Sequence, residues 1–171
     1  MCAIDKLKEY KNNSDTINQK LREGCENPDI IDDLFSDRDV PPTLYRFLAN
    51  QYIKFDGDIF CDPAYLSCTD NVDNFICKVP TDHLACLAIE LESPTSCIYV
   101  KDLLTDYDDE GEFILPRNIK LRLIKEKSKD YNNIEEFDMF LDQVNSYTGS
   151  DELYYARGIK TISLYTLINA K

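Results

Sequence analysis

The chain has 171 residues, 43% of them hydrophobic and including 8 Phe and 11 Tyr. That is enough apolar material for one domain with a sizeable core, which excludes a disordered tail or a fibrous protein. A net charge of -13 repels nucleic-acid phosphates and anionic membranes, both of which need a basic footprint, so neither is an expected partner. The cysteines Cys2, Cys25, Cys61, Cys68, Cys77, Cys86 and Cys97 form no CxxC pair. Their odd count and apolar surroundings read as free thiols in a reducing compartment, and no zinc centre is expected. The start Met1-Cys-Ala-Ile-Asp-Lys6 has no apolar stretch of signal-peptide length, and no run approaches a membrane span, so a cytoplasmic place of action is the expectation.

In chain order, Ile4 and Leu7, then Ile17 and Leu21, recur at helical spacing, with Gly24 as a stop. These predict short amphipathic helices. Asn27-Pro28-Asp29 opens another in the expected way, with Asn as cap, Pro at the first helical position and acid at the positive dipole end. Ile30, Ile31, Leu34 and Phe35 would be its buried face, completing a helical part over residues 1–40. Pro41-Pro42 then releases an extended Thr43-Leu-Tyr-Arg-Phe-Leu48, an apolar strand carrying a cation, Arg46, that needs a partner. After the turn at Phe55-Asp-Gly-Asp58 come Ile59-Phe-Cys61 and a short strand ending Ser67-Cys68-Thr69. Asp70 would cap a helical turn through Val72 and Phe75. Leu84–Leu91 reads as a buried strand, followed by Cys97–Val100. Phe113–Leu115 and Ile119–Ile124, joined by Pro116-Arg117-Asn118, read as a hairpin with one wet face, because Ile119, Leu121 and Leu123 alternate with Lys120 and Arg122. A charged, then helical, insert over 126–155 includes a stripe from Ile134 to Val144, and Thr161–Ile168 closes the domain as a strand.

The segment Tyr107-Asp-Asp-Glu110-Gly-Glu112-Phe places two carboxylates two residues apart where the chain enters a strand. In extended backbone such residues share a face. Their mutual repulsion needs a reason, unless both are simply solvated.

Three segments taken together supply one. Tyr45-Arg46 on one strand, Ser67-Cys68-Thr69 on a second and Glu110-Gly-Glu112 entering a later one resemble, in order and spacing, the mono-ADP-ribosyltransferase superfamily in its Arg, Ser, Glu branch. Upstream, Tyr10, Ser14, Ile17-Asn18 and Leu21-Arg22 are similar to the helix that opens the catalytic domain of iota-like bacterial toxins. The resemblance implies an α+β fold, with a helical N-terminal part and two small, mainly antiparallel sheets packed around a cleft for NAD. It also implies transfer of ADP-ribose from NAD to an arginine of a target protein, with release of nicotinamide and no metal. The chain has no GxGxxG dinucleotide fingerprint, as in that family.

The chemistry suits the residues. Breaking the bond to nicotinamide leaves positive charge on the ribose, as in glycoside hydrolysis, and a carboxylate beside the sugar stabilises it. By resemblance Glu112 is that carboxylate, Ser67 holds it, and Arg46 offers a planar fork to the diphosphate; an ordinary ion pair is the other reading of Arg46. Tyr45 and Thr69 flank these motif positions and would help bind NAD. Phe75 would stack on the nicotinamide ring, though packing of a short helix accounts for it equally. Glu110 would orient the acceptor guanidinium and take its proton, and Tyr107 would pack against it through a cation-π contact, or be a simple exposed loop aromatic. Arg22 or Lys78 would add positive charge at the diphosphate.

Where many relatives have Ser-Thr-Ser this chain has Ser67-Cys68-Thr69, with a thiol in the second place. With His83 the only histidine, Cys68 lacks a partner for a Cys-His hydrolase. Two other readings stay open: an NAD glycohydrolase, in which water replaces the acceptor, and a catalytically dead binding module of the same fold. The expected protein is a monomer, acting in a bacterial cytosol if phage-encoded or in a host cytosol if an injected effector.

Overall fold

The computed structural model describes residues 1–25, 31–70, 81–106, 111–130 and 161–170. The first element, α1 (Ala3–Arg22), consists of two short helices joined across a kink at Asn13 (φ -126°, ψ 15°), as the two separate apolar pairs implied. The Asn13 amide donates to the carbonyl of Glu9 (3.1 Å), a local bond that competes with regular helix at that point. Leu7, Tyr10, Ile17 and Leu21 form the buried stripe, while Ile4 is 43% exposed and drops out of it. Gly24, at φ +75°, closes the helix by a Schellman arrangement. Its N–H reaches the carbonyl of Leu21 and that of Cys25 the carbonyl of Lys20.

The helix expected from Asn27 is not found among the described residues. Asn27, Pro28, Asp29 and Ile30 lie outside the described residues, and Asp32–Leu34 is a single 3-10 turn leading into strand β1 (Ser36–Arg38). Here a tertiary contact overrides the helical pattern: the backbone N–H of Ile31 donates to the hydroxyl of Tyr65, which in turn donates to Asp32.

The remaining strands are β2 (Thr43–Ala49), β3 (Phe55–Asp56), β4 (Ile59–Cys61), β5 (Leu66–Thr69), β6 (His83–Glu90), β7 (Thr95–Tyr99), β8 (Glu112–Leu115), β9 (Lys120–Asp130) and β10 (Thr161–Asn169). A single helical turn, α2 (Val100–Leu103), follows β7. Their order across the sheet is β1-β7-β8-β5-β2-β6-β10-β9-β4-β3. Two wings meet in the middle, because β5 and β2 are joined through one pair, Tyr45 opposite Thr69. All neighbouring pairs are antiparallel except β10 with β6.

The expected hairpin of residues 113–115 with 119–124 does not form. Strand β8 pairs with β5 and β7, whereas β9 pairs with β10 and β4, in the other wing. Every residue of β8 is buried, as a continuous apolar run between two neighbours should be. Strand β9 alternates, with Leu121 buried and Lys120 and Arg122 exposed, which preserves the expected wet face. It continues to Asp130, so residues 126–130, expected to begin the insert, are strand. A bulge opposite Thr166/Leu167 skips Ile124 and leaves it 52% exposed. The stripe from Ile134 to Val144 lies outside the described residues.

Two apolar clusters fill the molecule. One packs Leu44, Leu66, Cys68, Phe113, Leu115 and their neighbours from both wings. The other lies beneath α1, where Leu7, Tyr10, Ile17 and Leu21 meet Tyr65, Ile98 and Ile114.

Candidate active site

The two clusters take alternate residues of β5 and β8, and this alternation sets the site. Phe113 and Leu115 face one core, Ile114 the other, so Glu112 shares the face of Ile114, towards α1. In the β5–β8 register Ser67 lies opposite Ile114 and Thr69 opposite Glu112. Ser67 and Glu112 are thus diagonal neighbours, a separation that side chains bridge. The Ser67 hydroxyl donates to Glu112 Oε1 at 2.5 Å. The other oxygen, Oε2, accepts from the Lys11 ammonium, which reaches down from α1. Glu112 is only 6% exposed, and both of its oxygens carry a donor.

Arg46 joins this pair from β2. One terminal nitrogen donates to the backbone carbonyl of Ser67 at 3.1 Å, which ties the cation to the strand that carries Ser67. Its Nε is buried and has no hydrogen-bond partner among the described residues. An orphaned guanidinium donor of this kind suits an anionic ligand, since burying it unpaired is costly. Among the described residues no ion pair accounts for Arg46.

The remaining sequence-derived residues fall out unevenly. Tyr45 and Thr69 make the joint between the wings. Thr69 is fully buried and Tyr45 nearly so, so here they brace the site and Thr69 offers no surface to a ligand. Arg22 forms a two-pronged ion pair with Asp62 (3.0 and 2.8 Å) and is spent on it. Phe75, Lys78, Tyr107 and Glu110 lie outside the described residues. The premise that Glu110 and Glu112 share one face needs extended backbone between them. Gly111 instead sits at φ +56°, and the strand begins only at Glu112. A Cβ there would come within 1.9 Å of the Asp70 carboxylate, whose own backbone N–H donates to the Gly111 carbonyl. Glycine meets the backbone demand without strain, and any Cβ would also force the Asp70 side chain aside.

The opening helix contributes more than the motifs indicated. Asn18 donates to the Tyr10 hydroxyl (3.1 Å) and accepts from the backbone N–H of Tyr65 (3.3 Å), so α1 is pinned two residues before Ser67. Burial chiefly, with the nearby Glu112 charge adding to it, pushes the Tyr10 phenol up to about 12. Lys11 had no sequence signal, since its contact spans 101 residues.

The thiol beside Ser67 is inert. Cys68 is 1% exposed, and burial pushes it up to about 12, far from the thiolate a nucleophile needs. His83 lies at the exposed start of β6, with Asp82 at 3.7 Å. Among the described residues no group of His, Cys, Asp and Glu could hold a metal ion.

No family model matches the sequence, and no curated protein matches it. Solved structures do. Plx2a, an ADP-ribosyltransferase toxin from Paenibacillus larvae, superimposes with a TM-score of 0.60 at 16% identity, over 99% of this chain and 86% of that one. The ATR domain of Salmonella SpvB gives 0.59 at 16% identity, over 99% and 98%. The fold is that of the ADP-ribosyltransferases. Exoenzyme S from Pseudomonas aeruginosa, solved with human 14-3-3 protein beta and carba-NAD, gives 0.57 at 13% identity, over 98% of this chain and 73% of that one. The fold is the one the three motifs implied, and Arg46, Ser67 and Glu112 lie on its strands β2, β5 and β8.

Proposed function

We propose that this protein is a mono-ADP-ribosyltransferase that moves ADP-ribose from NAD to an arginine side chain of a target protein and releases nicotinamide. The observation that carries the reading is Glu112, nearly buried and held by Ser67, with the orphaned Arg46 Nε on the adjoining strand. Carba-NAD in the Exoenzyme S complex supports the choice of substrate.

The bond between ribose and nicotinamide breaks with its electron pair leaving on nicotinamide, and positive charge develops on the sugar. Glu112 accepts a hydrogen bond from a ribose hydroxyl and stabilises that charge, in a site dry enough for the interaction to be strong. Ser67 fixes the rotamer of Glu112, so little reorganisation is needed during the reaction. Arg46 directs its unsatisfied Nε at the diphosphate. Glu110 receives the proton that the acceptor guanidinium loses as its nitrogen bonds to the sugar, with Tyr107 packed against that side chain. The enzyme works as a monomer in a cytosol, bacterial or host. Its acidity favours a target arginine set in a basic patch, through steering that weakens with salt.

Incubation with NAD and cell lysate tests this, with nicotinamide release and protein labelling both measured. Glu112→Gln should lower nicotinamide release about a hundredfold to a thousandfold, the usual cost of removing a group that stabilises transition-state charge. Glu110→Gln should abolish protein labelling while slow NAD hydrolysis persists. Free ADP-ribose as sole product of the wild type, unaffected by Glu110→Gln, would make the protein a glycohydrolase. No nicotinamide release from the wild type would leave it a binding module.

A further inference from the structure

Strand β9 carries a row of cations on a chain that is otherwise strongly acidic, with 32 Asp and Glu against 19 Lys and Arg. Its partners in β10 fix which way they face. Leu121 and Leu123 pack in the core with Leu167 and Tyr165, and Glu126, opposite Tyr165, shares their side. Arg122 lies opposite Ile168, Lys125 opposite Thr166 and Lys127 opposite Leu164, so these three take the other face. Lys120, one residue before Leu121, joins them. In an unbroken strand Lys125 and Lys127, being an odd number of residues from Lys120 and Arg122, would turn to the core side. The bulge that skips Ile124 resets the alternation, which brings all four cations to one face and keeps Glu126 off it.

The row is open to solvent. Lys120, Arg122, Lys125 and Lys127 are all exposed, and of the four only Arg122 has a carboxylate among the described residues, Asp58 at 3.4 Å in an exposed pair that contributes little. Ile124, between Arg122 and Lys125, is 52% exposed and offers an apolar contact. Lysines on a strand can serve merely to discourage aggregation, but that duty needs no common face. Cations held to one face, with alternate residues about 6–7 Å apart, match carboxylates at alternate positions of another extended chain. We propose that this face of β9 is a docking strip for an acidic, extended segment of a partner protein. It lies in the opposite wing from Glu112 and does not depend on the reading of that site. A nucleic acid fits less well, because beyond a strip of about 20 Å its phosphates would run over a surface of net charge -13.

Fluorescence anisotropy with a labelled peptide alternating Glu and Thr tests this, against a peptide alternating Gln and Thr and an oligothymidylate of matching length. The wild type should bind the acidic peptide in preference to both, and more weakly as salt rises. Lys125→Gln combined with Lys127→Gln should lower that affinity at least tenfold. Lys8→Gln combined with Lys20→Gln removes the same charge from exposed positions of α1 and should leave it within about twofold. Both double variants should keep the wild-type urea midpoint, since the four side chains are exposed. Equal losses in the two would place the effect on net charge and overturn the proposal, as would tighter binding of the oligothymidylate or no binding of the acidic peptide. Sedimentation of the protein alone supplies the remaining outcome: a wild type that pairs with itself at low salt through Lys125 and Lys127 would make a second copy of this chain the occupant, and overturn the assignment to a separate partner.

Discussion

Gly111 is the residue on which the geometry of the acidic pair turns. It combines a left-handed backbone, φ +56°, with an approach that would bring a Cβ to 1.9 Å from Asp70 Oδ1. Gly111→Ala should lower stability by about 1–3 kcal/mol, the usual cost of forcing a side chain into such a conformation. It should also depress nicotinamide release, since Glu112 is the next residue. Urea unfolding measures the first effect. Adding Asp70→Ala should restore only part of the loss, the part due to the clash, because the backbone conformation remains unfavourable. A Gly111→Ala protein as stable as the wild type would refute this account. At this scale the sequence showed the chemistry and concealed the geometry. Arg46, Ser67 and Glu112 were legible because their three motifs stand in the order and spacing of a known family; alone, a carboxylate at a strand mouth reads as solvated surface. Lys11 was not, because nothing near it on an exposed-looking helix turn announces a partner 101 residues away.

Helix α1 is the element that both covers and completes the site. Its stripe of Leu7, Tyr10, Ile17 and Leu21 is buried against Tyr65, Ile98 and Ile114, the face of β5 and β8 on which Ser67 and Glu112 stand. Leu7 is fully buried, and Leu7→Ala should cost about 2–5 kcal/mol, transfer and cavity terms together. Ile4→Ala, one turn earlier at 43% exposure, should change stability by under about 0.5 kcal/mol. Thermal or urea unfolding of the two variants separates a docked helix from one held by propensity alone; equal effects would contradict the packing described. The helix, and strands β2, β6 and β10, were readable from period and apolar runs. The supposed hairpin of β8 with β9 was misread because the short Pro116-Arg117-Asn118 connection outweighed a difference already in the letters. Phe113-Ile114-Leu115 is continuously apolar and Ile119 to Ile124 alternates, and strands with such different burial belong to different neighbours. The turn, with Asn118 at φ 61°, carries the chain from one wing to the other.

Across the whole molecule, groups that must stay protonated are concentrated in the two cores, and this sets an alkaline limit on stability. Cys97 is pushed up to about 11, and Cys68 and Tyr10 to about 12, in each case chiefly by burial. Their ordinary values are 9.0 for the thiols and 10.0 for the phenol. The folded state therefore holds these protons at pH values where the unfolded chain has lost them. Stability falls with pH wherever the unfolded state binds fewer protons, with a slope of up to about 1.4 kcal/mol per pH unit for each such group. Their contribution is fully present below about pH 9 and is lost as pH rises through 11 to 12. Urea midpoints should thus be flat up to about pH 9 and then decline. General repulsion in a chain of net charge -13 would also grow with pH, but salt screens it, whereas the titration of groups inside the core persists in high salt. Tyr10→Phe removes one of these protons while keeping the ring, so its midpoint should fall less steeply above about pH 10. A decline that vanishes in concentrated salt, or a Tyr10→Phe slope identical to that of the wild type, would place the alkaline sensitivity on the surface charge rather than in the core under α1.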